Sequence, residues 1–227
     1  MPRLIGFLTI ISLGGLGISG LVEVPASHQP SDTMAILYTG DGGWQVTDRG
    51  LAQILADHGI PVVGLNTLHY FWSRRTPQEA AADFSRLLEN YLNLWQKKRV
   101  IVIGYSFGAD VLPFILSRVP ESLLARMELL ALLAPTRSVD LEFHLSQWFS
   151  GRAPAAAKPV LPELDKLRSL NILAFCGKQD GETLCRDLPP GLAKTVFLEG
   201  GHRFDRYYKM IAEEILEQIR SGQKTAG

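Results

Sequence analysis

The sequence predicts an α/β protein with a mostly parallel sheet and helices on both of its faces. Three observations carry that prediction: short apolar runs recur along the chain, helix-patterned stretches separate them, and the composition is that of an ordinary globule. The chain has 227 residues, 46% hydrophobic and 20% charged, which are folded-domain averages and not those of a disordered tail or a charged coiled coil. A single domain near this size buries about 70% of its unfolded surface and folds without a metal or a disulfide framework. Lys plus Arg and Asp plus Glu both total 23, and a chain with no basic excess is not a nucleic-acid binder working by counterion release. Two cysteines exclude a cysteine-dense scaffold and a four-thiolate zinc site.

The elements follow in order. Arg3 sits in a short positive start, residues 4–22 carry no charge, and Val24 and Ala26 flank Pro25 as small residues flank a cleavage point. This is the pattern of a signal peptide over residues 1–26, with an uncleaved membrane anchor as the alternative reading of the same uncharged stretch. Either one delivers the rest outside the cytoplasm, and a single domain is expected over residues 33–222. Its first strand is the run 35–38, ending in a glycine turn. Leu51, Ile54 and Leu55 then share a helical face until Gly59 stops it. The run 61–65 is the second strand. Thr76 and Glu79 form a capping box around Pro77 that opens a helix to about Trp95. Strands are expected at 100–103, 129–133, 172–175 and 195–198, with a helix after Gly108 and a last one from about Tyr207 to Ile219. Two stretches depart from this rhythm: Val139, Leu141, Phe143 and Leu145 alternate with polar residues as an exposed strand would, and the alanine- and proline-rich stretch 152–162 reads as a flap or linker.

The chemistry lies at the end of the third strand. Gly104, Ser106 and Gly108 spell G-x-S-x-G directly after an apolar β-branched run and before a helical pattern. A serine forced into such a strand-to-helix turn projects its hydroxyl above the sheet, and the N–H of the next residue, Phe107, points at a developing oxyanion. The base should come last in the chain. Of the five histidines only His202 follows the final strand, where an α/β-hydrolase carries its base. The acid belongs in the loop after the fifth strand, where Asp180 is favoured and Glu182 is the alternative. The glycine loop 40–43 follows the first strand, and Asp41 is chosen there to give the second oxyanion N–H.

These segments together resemble a known family. Gly40, Asp41, Gly42, Gly43 and Trp44; Tyr70, Phe71 and Trp72 with Arg75, Thr76 and Pro77; the run from Gly104 to Pro113; and Gly200, Gly201 and His202 with Phe204 and Asp205 are similar to the VirJ/AcvB bacterial virulence proteins. The resemblance covers about residues 35 to 215. It implies an α/β-hydrolase with a minimal cap or none, exported to the periplasm, associated with type IV secretion, and hydrolysing lysyl-phosphatidylglycerol. It places the triad on Ser106, His202 and an acid at Asp180 or Glu182.

The remaining candidates are weighed singly. Tyr70 and Trp72 stand at the carboxyl end of a strand, where ligands bind in open α/β sheets, and are assigned to substrate. Asp110, about one helical turn after Ser106, and Asp41 are the carboxylates expected to receive a cationic substrate. Cys176 and Cys185 flank the acid loop and are expected to be bridged in an oxidising compartment. Pro113 should kink its helix. No metal site and no cofactor are expected. The expected partners are an aminoacylated phospholipid at a membrane surface and secretion-system proteins; a non-catalytic binding module and a general esterase or thioesterase are the rival functions.

Overall fold

The computed structural model describes residues 9–11, 18, 20–26, 31–73, 75–140 and 157–225. Ten strands are described: β1 (Thr9–Ile11), β2 (Leu21–Val24), β3 (Thr33–Tyr38), β4 (Val62–Leu65), β5 (Arg99–Tyr105), β6 (Met127–Leu133), β7 (Ser138–Val139), β8 (Lys158–Pro159), β9 (Ile172–Gly177) and β10 (Lys194–Leu198). Between them lie the helices α1 (Val46–Asp57), α2 (Thr67–Tyr70), α3 (Pro77–Leu94), α4 (Phe107–Leu116), α5 (Glu121–Leu124), α6 (Leu161–Asp165) and α7 (Tyr208–Thr225). Eight strands form one sheet in the order β1-β2-β4-β3-β5-β6-β9-β10. The run from β4 to β10 is parallel throughout, while β2 pairs antiparallel with both β4 and β1.

The parallel strands read as unbroken apolar runs because both faces are covered. Met34, Ile36 and Tyr38 of β3 point into a core shared with α3 and α4, whereas Ala35 and Leu37 point into a second core. On that second face α1 contributes Leu51, Ala52 and Leu55, and α7 contributes Ile211, Ile215 and Ile219. The period-2 alternation of a strand therefore sends successive apolar residues into opposite cores, and no polar alternation can survive in the sequence.

The observed boundaries differ from the expected ones by a few residues, most strands being longer than expected and β4 one residue shorter. The capping box is present: Thr76 Oγ1 accepts the Glu79 N–H at 3.2 Å and Glu79 Oε2 accepts the Thr76 N–H at 2.8 Å. The helix α4 runs from Phe107 to Leu116 with Pro113, the expected kink position, inside it. At the N-terminus the outcome differs from the expected boundary at residue 33. Leu21–Val24, assigned by sequence to the leader, pairs in register with Val62–Leu65, and Leu21 is fully buried. The expected exposed strand and flap fall partly on residues 141–156, outside those described. What is described there is a two-residue hairpin, with Ser138 opposite Pro159 and Val139 opposite Lys158, followed by α6. No helix among the described residues is long and apolar enough to cross a membrane.

Candidate active site

The site is built at the carboxyl ends of the parallel strands. Ser106 stands between β5 and α4 with φ 51° and ψ −118°, a backbone conformation that a side chain-bearing residue holds only when its surroundings force it. Two glycines do the forcing. A Cβ on Gly104 would lie 2.7 Å from the Ala109 backbone, and one on Gly108 would lie 2.3 Å from the Tyr38 carbonyl oxygen. Glycine at these positions lets α4 fold back over β5 and press its first turn against the end of β3, leaving the Ser106 side chain at the crest.

His202 reaches that crest from the loop after β10. Its Nε2 lies 2.7 Å from Ser106 Oγ and its Nδ1 lies 2.8 Å from Asp180 Oδ2. Asp180 Oδ2 accepts the hydrogen bond of an Nδ1–H, which leaves Nε2 to accept the serine O–H. The imidazole is also held through its backbone. Tyr105 OH donates to the His202 carbonyl at 3.4 Å and accepts the Phe204 N–H at 3.3 Å, and the Tyr105 and Phe204 rings stack at 6.0 Å. Asp180 is buried. Its Oδ1 accepts the Glu182 N–H at 3.1 Å, and its carbonyl accepts Arg186 Nη1 at 2.8 Å. Of the two candidate acids the structure therefore brings Asp180 to the histidine, whereas Glu182 is exposed and contributes its backbone. Cys176 and Cys185 form a disulfide across the acid loop, with Cα atoms 6.3 Å apart.

Around Ser106 and His202 lies a cavity of about 360 Å³. Its wall includes the glycine loop with Asp41, then Val46 and Asp48 of α1, and Arg203 and Asp205 beyond the histidine. A Cβ on Gly40 would come within 3.3 Å of Ser106 Cβ, so this loop runs beside the hydroxyl. Phe107 is the first residue of α4, and N–H groups of a first helical turn have no partner within the helix. Asp48 was missed from the sequence, and Asp205 was noted there only as part of the family resemblance, with no role at the site. Asp48 Oδ2 accepts the Gln45 N–H at 3.0 Å, while its Oδ1 is buried without a hydrogen-bond partner. Burial, and secondarily the charge of Asp205, push the Asp48 carboxyl up to about 6. Asp205 Oδ1 accepts the Thr47 hydroxyl at 3.0 Å.

Three assigned substrate residues are corrected. Asp110 does not face the cavity: it is 5% exposed and both carboxylate oxygens bind Thr136. Tyr70 is buried, its hydroxyl donating to Asp83 Oδ2 at 2.6 Å with the Arg75 guanidinium 4.4 Å above its ring. Trp72 is 58% exposed, but with Tyr70 it lines a separate recess beside His69, Ser73 and Arg75. Within the aromatic run, Phe71 packs its ring edge-on against Phe107 at 5.6 Å.

The bacterial virulence protein (VirJ) family matches residues 32–223, and the chain belongs to it. No curated protein matches it. Among solved structures, Est1E from Butyrivibrio proteoclasticus aligns with a TM-score of 0.60 at 14% identity, over 88% of this chain and 95% of that one. MenH from S. aureus gives 0.60 at 11%, over 89% and 98%. A Xanthomonas campestris protein described as an α/β serine hydrolase without lid gives 0.58 at 16%, over 90% of each chain. The fold is that of the α/β-hydrolases, and a hydrolase-fold protein is what the family and these likenesses support together.

Proposed function

We propose that this protein is an exported serine hydrolase that cleaves the aminoacyl ester of an aminoacylated phospholipid of the lysyl-phosphatidylglycerol type, working in the periplasm and linked to type IV secretion. The observation that carries the hydrolytic part is the continuous run of contacts from Ser106 Oγ through His202 to Asp180. The choice of ester rests on the family resemblance and on the acidic wall of the cavity.

The geometry supports the following steps. Ser106 Oγ attacks the ester carbonyl carbon while His202 Nε2 takes its proton. Asp180 orients the imidazole and stabilises the cation that forms. The N–H groups of Phe107 and Asp41 receive the oxyanion. The imidazolium returns the proton to the departing glycerol oxygen, and an aminoacyl ester remains on Ser106. Water, deprotonated by His202, then attacks that ester, and the imidazolium returns the proton to Ser106 Oγ as the acyl–serine bond breaks and the free amino acid leaves. Apart from the ester and water, the groups named in these steps are residues of the chain.

The test is incubation of the purified protein with a fluorophosphonate probe and with labelled aminoacyl-phosphatidylglycerol beside ordinary esters. Wild type should be labelled at Ser106, and Ser106→Ala should lose turnover by about a millionfold. An unlabelled wild type, or a Ser106→Ala variant with full hydrolysis, overturns the enzyme reading in favour of a binding module. Equal rates on every ester leave a general esterase.

A further inference from the structure

Asp110 belongs to the Ser106 segment yet contributes nothing to the cavity wall, and its contacts lead in another direction. We propose that Asp110 is a positioning residue for the acid: through Thr136 it holds the segment that carries Asp180 beneath His202. This rests on the reading of Ser106, His202 and Asp180 as a catalytic unit.

Asp110 is fixed first to the serine. Its N–H donates to the Ser106 carbonyl at 3.0 Å in the opening turn of α4. Both carboxylate oxygens then face one residue of the loop after β6: Oδ1 accepts the Thr136 N–H at 2.6 Å and Oδ2 accepts the Thr136 hydroxyl at 2.7 Å. Thr136 in turn forms an antiparallel bridge with Thr183, three residues beyond the acid. The strap continues on both sides of that bridge. The Leu184 N–H donates to the Pro135 carbonyl at 2.9 Å, the Arg137 N–H to the Glu182 carbonyl at 3.3 Å, and Arg137 Nη1 to the Gly181 carbonyl at 2.7 Å. Residues 181–184 are thus held against residues 135–137. At the head of the held segment Asp180 gives one oxygen to the Glu182 N–H and the other to His202.

The contacts close a ring: Ser106 to Asp110, to Thr136, to Thr183, to Asp180, to His202, and back to Ser106. Cutting it at Asp110 leaves the acid loop attached to the β6 loop but removes the side-chain tie between Thr136 and the first turn of the helix after the serine. The carboxyl is an expensive clamp, since burial pushes it up to about 7 with the Asp180 charge adding to the rise. What the clamp needs is two acceptor positions of fixed spacing on a short side chain. An amide meets most of that need, because its oxygen takes the Thr136 N–H and its NH2 donates to Thr136 Oγ1.

The test uses the full chain and compares kcat, KM, the fluorophosphonate labelling rate and the far-downfield proton resonance of His202 Nδ1–H. Misplacing a catalytic group by about 1 Å costs roughly a hundredfold, so Asp110→Ala should lower kcat by about 10- to 100-fold with KM nearly unchanged and the His202 resonance broadened or lost, while cooperative melting persists. Asp110→Asn should restore most of kcat and the resonance. If Asp110→Ala does not fold, Thr136→Val, which removes the hydroxyl and keeps the N–H, should show a smaller loss in the same two readouts. Wild-type kcat and resonance in these variants overturn the proposal. A loss confined to KM overturns it in favour of substrate contact, and an Asp110→Asn defect equal to that of Asp110→Ala overturns it in favour of the charge alone. If wild type fails to label at Ser106, the catalytic reading itself falls. Labelling of wild type and variants at one rate removes only the role of Asp110.

Discussion

Ser106 at φ 51° shows how a single residue can carry strain for function. A non-glycine residue in such a region costs of order 1–3 kcal/mol, and the turn persists because α4 is buried along its length from Gly108 onward. Ser106 and His202 were legible in the sequence because their signals are local: a glycine-bracketed serine after an apolar strand, and the last histidine after the last strand. Asp48 was not legible, since a carboxylate in the first turn of a helix reads as an ordinary cap. Thr136 was equally silent, because its importance depends on α4 and the acid loop meeting there. Asp48 also supplies a test. Its carboxyl is raised from 3.8 to about 6, burial first and the charge of Asp205 after it. The native state therefore binds that proton more tightly than the unfolded chain, so the stability it contributes is present below about pH 4 and lost as pH rises through about 6. Asp48→Asn keeps an acceptor for the Gln45 N–H and removes the titration. Melting against pH should show a flatter slope over that window and a gain of up to about 3 kcal/mol at about pH 8. An unchanged slope would mean that the Asp48 carboxyl titrates alike in the native and the unfolded chain, and that burial does not raise it.

At the scale of elements, the central strands were readable because burial on both faces makes them continuous apolar runs, and α3 because its cap is written in Thr76, Pro77 and Glu79. The helices α2 and α5, of four residues each, are too short to show a helical period. The strand β2 lies within the expected leader: an uncharged stretch that begins after Arg3 reads as one leader, and the pairing of its end with β4 is invisible locally. Leu21 and Met34 belong to one core, and Glu23 Oε1 accepts the Tyr91 hydroxyl at 2.5 Å. Removing residues 1–26 would uncover the paired edge of β4 and leave Tyr91 without that acceptor. Burying a side chain such as Leu21 is worth about 1.5–3 kcal/mol, and an open strand edge invites aggregation. A chain starting at Ser27 should therefore melt lower and aggregate more readily than one starting at Ile18. If the protein is exported as proposed, its mature form should retain Leu21, which N-terminal sequencing of the mature chain checks. A mature terminus at Ser27 with undiminished stability would show that β2 is dispensable.

Over the whole molecule the charges cancel, 23 against 23, so the protein cannot concentrate a cationic substrate through its net field and must act through local groups. The local groups are asymmetric. Asp41, Asp48 and Asp205 line the cavity with Arg203, whereas Asp110, the partner expected for Asp41, is turned into the fold. Under the proposed function a lysyl ester would bring two ammonium groups to Ser106, and Asp205 and Asp48 line the cavity beside it, where Asp110 was expected. Asp41 and Asp205 are exposed, so water and salt weaken them individually; the Debye length is about 8 Å at physiological ionic strength. A charge-assisted contact is worth roughly 1.5–3 kcal/mol, about ten- to a hundredfold in specificity when it is fully formed. Asp41→Asn and Asp205→Asn should each reduce hydrolysis of the lysyl lipid toward that range and spare alanyl lipid less than a neutral ester, because the alanyl group keeps one ammonium. The loss should shrink as salt is raised. Relative kcat/KM on the three substrates, measured at low and physiological salt, decides it. Equal losses on all three would mean that these aspartates shape the loops that hold Ser106 and His202, and that the cavity reads the ester by shape.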